Sequence, residues 1–167
     1  MEAVRSGALK GMIVRSADFY GPGAVSSVTD ATVISRLKSG KTPRWIGNAN
    51  AVHTFTYTPD AGRTLAVLGN TASAYGHVWH AATSPELMTG ERFVRMSCDA
   101  LGRPYHLQVA PRWMLTVAGV FVPLLRENME MLYQFEFDYC FDSSKIERTF
   151  GLTATPYVTG IAATVEE

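Results

Sequence analysis

Histidines, aspartates and cysteines carry the reactive groups of this chain, and their spacing separates them. His77 and His80 would suggest a metal pair, yet three apart on a strand they face opposite sides. No carboxylate or thiol cluster follows at ligand spacing, so no metal site is expected. Asp138 and Asp142 show no acid/base partner and read as loop or strand-edge charges, Asp142 near a helix start. Cys98 and Cys140 lack a C-x-x-C spacing, and nothing upstream resembles a cleavable signal. They read as free thiols of a cytoplasmic chain. Two places remain. Asp18, Phe19 and Tyr20 sit beside a Gly21-Pro22 turn, where aromatics either pack or line a pocket. His53 either steadies a loop or reaches a ligand.

The elements that would hold these residues can be traced by their boundaries. Gly11-Met-Ile-Val-Arg15 is a short apolar run of the kind covered on both faces in a parallel sheet. Ser27-Val-Thr-Asp30 reads as a capping box for a helix carrying Val33, Ile34 and Leu37 as far as Gly40. Thr58-Pro59-Asp60 supplies a capping hydroxyl, a proline at the first helical position and a carboxylate at the positive end of the dipole. That predicts a helix through Ala61, Leu65 and Leu68 to Gly69-Asn70.

Residues 77–81 predict a strand, and Thr89 caps a helix with a Val94, Cys98 and Leu101 stripe, stopped by Gly102. Tyr105, Leu107 and Val109 alternate with His106 and Gln108, as a half-buried strand does. From Pro111 to Gln134 the pattern is helical with a break near Pro123, followed by a short strand over Tyr139 to Phe141. Ser144-Lys-Ile-Glu147 reads as another capping box, for a helix ended by Gly151, and Tyr157 to Val165 is weakly amphipathic. Alternating strands and helices favour α/β or α+β over a bundle.

With 167 residues, 47% of them hydrophobic, the chain suits one domain. Fifteen Lys and Arg balance fifteen Asp and Glu, so no net field draws it onto nucleic acid or an anionic membrane. The longest apolar stretch, Met114 to Leu125, contains Pro123 and falls short of a hydrocarbon layer about 30 Å thick. Neither nucleic acid nor membrane is expected as a partner.

Arg15-Ser-Ala-Asp-Phe-Tyr-Gly-Pro22 after an apolar strand, Trp45-Ile-Gly47 followed by His53-Thr-Phe-Thr-Tyr-Thr-Pro-Asp60, and Ser143-Ser-Lys145 to Gly151 come in a telling order. Together they resemble the C-terminal, substrate-binding half of extended short-chain dehydrogenase/reductases of the NAD-dependent epimerase/dehydratase type. The resemblance spans nearly all of residues 1–167 as a single domain. It implies an α/β fold built from the last strand or strands of a Rossmann-type sheet plus a small helical substrate lobe. It also implies a substrate-binding set of Asp18, Phe19, Tyr20 and His53.

Two features of the family are missing. No G-x-x-G-x-x-G or G-x-G-x-x-G turn occurs to cradle a cofactor pyrophosphate. None of the seven tyrosines has Lys four positions later, the pair the family uses for acid/base catalysis. The chain is therefore expected to begin after that machinery, to have no catalytic residue of its own, and to bind neither NAD nor NADP alone. Two departures bear on substrate. Many nucleotide-sugar members have Asn where this chain has Asp18, and an aspartate there would repel a diphosphate. They commonly carry Arg at the position of His53, a stronger clamp than histidine.

The expectation is a small ligand without a nucleotide diphosphate. A β-strand without its sheet needs cover, which a homo-oligomer, most simply a dimer, would supply. The alternative is one piece of a split oxidoreductase whose partner carries the cofactor half.

Overall fold

Apolar strands that run parallel must be joined by long crossovers, and the described chain consists of such units. The computed structural model describes residues 2–110, 114 and 129–166. In order come α1 (Glu2–Arg5), β1 (Ile13–Arg15), β2 (Asp18–Tyr20), a π turn (Asp30–Ile34) running into α2 (Ser35–Lys38), β3 (Arg44–Ile46), β4 (Phe55–Tyr57) and α3 (Thr58–Gly69). β5 (Val78–His80), α4 (Gly90–Ala100), β6 (Gln108–Ala110), α5 (Tyr133–Glu136), α6 (Ser144–Phe150) and α7 (Tyr157–Glu166) follow. The strands form three parallel pairs, β1 with β5, β2 with β4 and β3 with β6. This is a mixed α/β fold with parallel strands.

Side-chain chemistry sets most boundaries. Ser27 caps its helix, the Asp30 N–H donating to Oγ at 3.1 Å, and Val33, Ile34 and Leu37 are buried. The Asp30 carboxylate does not reach back to complete a box; Ser35 Oγ donates to it at 2.8 Å across the π turn. Thr89 Oγ1 accepts from Arg92 N at 3.2 Å, and Val94 and Cys98 are buried while Leu101 is half-buried. The Gly69 end of α3 falls where expected, but Leu65 is 53% exposed and Thr64 takes the buried place. Thr58 is not the cap of α3: it lies inside the helix, and its hydroxyl donates to Pro22 O at 2.8 Å.

Three expectations change further along. Strand β6 is only Gln108–Ala110, with Val109 exposed, while Tyr105 and Leu107 pack on the core from irregular backbone. The stretch around Tyr139 to Phe141 is a single bridge, Tyr139 to His53. The Ser144 box is not formed: Asp142 Oδ1 accepts from Ser144 N at 2.8 Å and Ser143 precedes the helix. The apolar stretch from 115 to 125 and the break near Pro123 lie outside the described residues. Among those that are described, no helix is long and apolar enough to cross a membrane.

Two apolar clusters result. The larger joins Tyr20, Trp45, Phe55 and Phe93 to Tyr157, Ile161 and Val165 of α7, closing α7 onto α4. The smaller surrounds Trp79 of β5 with Leu68, Ala74, Ala82 and Ile146, and Val14 of β1 joins it. Only one face of the β1–β5 pair is covered this way. On the other, Ile13 is 37% exposed and Arg15 is exposed.

Candidate ligand groove

Strand β2 carries the Asp18-Phe19-Tyr20 sequence, and alternation along the strand sends its side chains to different environments. Tyr20 is buried to 1% and rings with Phe55, Tyr57, Phe93 and Tyr157 at 5.3–6.4 Å. Burial pushes its hydroxyl well above the ordinary tyrosine range, and that hydroxyl has no hydrogen-bond partner among the described residues. Tyr20 is thus a core residue. Phe19 points outward, 41% exposed, and its carbonyl is fixed by Thr29 Oγ1 at 2.9 Å.

The turn that follows needs its glycine. Gly21 has φ +124, and a Cβ there would strike Thr58 and the Tyr57 ring. Beyond it, residues 16–19 and 23–28 together with Thr58 wall an open groove of about 590 Å³. Asp18 and Phe19 line it; Tyr20 and His53 do not.

His53 meets Asp18 from behind. Parallel pairing sets Asp18 opposite Phe55, and backbone bonds from His53 N to Met88 O (2.7 Å) and from Thr54 N to Tyr139 O (3.0 Å) fix the segment just before it. Gly47, at φ +72, lets this loop run against the Phe135 carbonyl, where a Cβ would stand 2.6 Å away. The imidazole is 2% exposed and lies stacked on Phe135 at 4.6 Å, with Phe55, Tyr139 and Trp45 around it. Its Nε2 is 2.9 Å from Asp18 Oδ2 and its Nδ1 is 3.0 Å from Gln134 O.

Both nitrogens therefore face oxygen acceptors. A carbonyl can only accept, so Nδ1 carries a proton, and a second proton must lie between Nε2 and the carboxylate for that contact to attract. The pair is then neutral as a unit. This changes the expectation of a lone Asp18 anion beside an independent histidine: the two residues answer each other, and His53 is sealed from the groove. Burial first, then Asp18, raises the neighbouring Tyr139 hydroxyl above its ordinary value, keeping it protonated.

The other reactive side chains serve structure. His80 Nδ1 lies 2.6 Å from Asp142 O and stacks on Phe141; His77 edges onto Trp79. Asp138 Oδ1 accepts from Val52 N at 2.8 Å. Cys98 is buried, which pushes its thiol up, and Cys140 is exposed and free.

Sequence reasoning missed the buried threonines. Ala17 N donates to Thr56 Oγ1 at 3.0 Å, Thr56 meets Thr83 Oγ1 at 3.0 Å, and Thr83 donates to Ala81 O. This chain of hydroxyls fixes the groove floor at Ala17 to β4 and to the end of β5. It also missed Asp60, 3% exposed, which receives Thr155 N at 2.6 Å and Arg63 at 2.9 Å. The alternation His-Thr-Phe-Thr-Tyr at 53–57 was the available signal for the threonines, since period two sorts hydroxyls and rings to opposite faces.

Solved structures share this fold. The dTDP-glucose 4,6-dehydratase DesIV of Streptomyces venezuelae, with NAD and TYD bound, superposes with a TM-score of 0.72 at 20% identity, over 99% of this chain and 45% of that one. UDP-glucose 4-epimerase of Thermotoga maritima gives 0.70 at 18%, over 98% and 47%. Human epimerase family protein SDR39U1, with NADPH, gives 0.70 at 16%, over 96% and 50%. The chain spans about half the length of these structures. Its fold is a partial short-chain dehydrogenase/reductase fold, similar over nearly its whole length to about half of an NAD-dependent epimerase/dehydratase chain. No protein-family model matches the sequence. No curated protein matches it either.

Proposed function

We propose that this chain is the substrate-side lobe of an epimerase/dehydratase-type fold, without hydride transfer of its own, and that it holds a small ligand lacking a nucleotide diphosphate beside Asp18 and Phe19. The observation that carries the reading is the composition of the groove. Among the described residues its lining contains one carboxylate, already matched by His53, several hydroxyls and the apolar Phe19, Val25 and Val28, and no Lys or Arg. A diphosphate would find no permanent cation among the described lining residues. An uncharged molecule with an apolar body would find surface to bury.

The sequence offers no glycine-rich turn and no Tyr/Lys pair, which supports a binding role over catalysis. The exposed side of the β1–β5 pair, where Ile13 and Arg15 reach solvent, supports self-association of two copies through that side. Thermal-shift screening with hydrophobic alcohols and lactones is the test: a ligand raises the melting temperature by mass action. No shift with any of them at millimolar concentration would sink the reading.

A second reading draws on the matched span, about half of each similar structure. In it, the chain works joined to a cofactor-binding half that extends the sheet beside β1. Titrating NADH and NADPH into the isolated chain while following cofactor fluorescence bears on both. Neither should bind; micromolar affinity would contradict the proposal that the chain alone lacks a cofactor site.

A further inference from the structure

We propose that the Asp18–His53 pair tunes the groove to an uncharged ligand bearing a hydroxyl on an apolar body, Asp18 Oδ1 being the atom that accepts that hydroxyl. This rests on the groove-binding reading above and names the ligand class within it.

The two carboxylate oxygens of Asp18 are not equivalent. Oδ2 is held by His53 Nε2 at 2.9 Å, while no described residue donates to Oδ1. The side chain is 36% exposed on the groove, so Oδ1, which no described residue donates to, is an acceptor turned to a ligand. An acceptor rewards a ligand that brings a donor, and a ketone or ester brings none. Charge decides between donors. The proton that His53 contributes matches the carboxylate's charge, so an ammonium group would give up its hydration without gaining a net anion. A hydroxyl gives up less and keeps the same hydrogen bond.

His53 acts here as a positioning residue. It cannot touch the ligand, being sheathed by Phe135, Phe55, Trp45 and Tyr139 and only 2% exposed. Of the groups packed on the ring, Asp18 bears the charge, and the Tyr139 hydroxyl is held neutral by its burial. Removing the proton-bearing ring while keeping a donor to Oδ2 should therefore alter which ligands bind, and a purely structural histidine would not do that.

Three rigid probes with one skeleton separate the possibilities: 1-adamantanol, 1-adamantylamine and 2-adamantanone, titrated at pH 7 by ligand-detected NMR. The intact chain should bind the alcohol about tenfold tighter than the ketone and the amine, the factor one good hydrogen bond supplies. His53→Gln keeps a donor for Oδ2 but leaves Asp18 an unmatched anion, so the amine should gain about tenfold over the alcohol. Asp18→Asn presents an amide that can donate, so the ketone should gain on the alcohol.

Equal affinity of the intact chain for all three probes overturns the inference and leaves groove binding standing. A folded His53→Gln chain with unchanged preference also overturns it. Should that variant fail to fold, Asp18→Asn decides alone, and an unchanged alcohol preference rejects the proposal. If no probe binds the intact chain, the groove reading falls together with this one.

Discussion

The two apolar clusters differ in how completely they are enclosed. The larger is closed on all sides by β2, β4, α4 and α7, and Tyr20, Phe55, Phe93 and Tyr157 are each exposed by 1% or less. Tyr157 ties it together, its hydroxyl accepting from Phe55 N at 3.0 Å. The smaller, around Trp79 and Ile146, packs on one face of a two-stranded pair whose other face shows Ile13 to solvent. Lys145 covers its rim, the ammonium 4.0 Å above the Trp79 ring and donating to Val78 O. One cluster is enclosed, and the other packs on one face of a strand pair whose opposite face is partly exposed. Stability and association should therefore reside in different parts of the molecule.

The largest expected effect lies in the enclosed cluster. Phe93→Ala should cost about 3–5 kcal/mol and lower the urea midpoint of the whole chain. A smaller loss confined to α4 amides would break the contrast. Ile146→Ala, in the half-enclosed cluster, should cost about 2–3 kcal/mol. In hydrogen exchange its loss should fall on β1 and β5 while α4 and α7 keep protection; uniform loss would show one core rather than two.

Alkaline pH should weaken the larger cluster most. Burial raises the Tyr157 hydroxyl to about 12, and Tyr20 shifts in the same direction. Above the unfolded value near 10 the unfolded chain loses those protons first, so stability is full below about pH 10 and falls as pH rises toward 12. Tyr157 alone should account for roughly 2–3 kcal/mol, read as a fall in melting temperature between pH 9 and pH 12. The smallest effect on folding belongs to Ile13→Lys, within about 0.5 kcal/mol. Sedimentation should nevertheless show it moving any self-association through β1 toward monomer.

The sequence made local structure readable wherever one residue settles the matter alone. Thr89 caps α4, and Gly40, Gly102 and Gly151 take the positive φ that ends their helices. Competition defeated the other local signals. Ser144 has a box-like spacing, but Asp142 lies nearer its N–H and Ser143 is engaged by Thr83. Tyr105 alternates like a strand residue yet lies under the Arg95 guanidinium, 4.1 Å from its ring centre.

Of the four site residues the sequence suggested, Asp18 and Phe19 line the groove, Tyr20 lies in the core and His53 stands behind Asp18. No local pattern says that Asp18 and His53 hold each other, because their contact depends on how β2 registers with β4. Tyr20 could have been set apart from Phe19 beforehand, since neighbours on a strand face opposite ways.

The three parallel pairings also prescribe an order of assembly. Asp18 must find Phe55, Ile13 must find Val78 and Arg44 must find Gln108, so no strand can zip to its neighbour through a hairpin. Among the described pairings, β2–β4 is the first whose two strands have both been synthesised, ahead of β1–β5 and β3–β6. Folding should be slow for a domain of this size. Nascent chains stalled before Gln108 should expose β3 and draw chaperones, whereas those released after it should not.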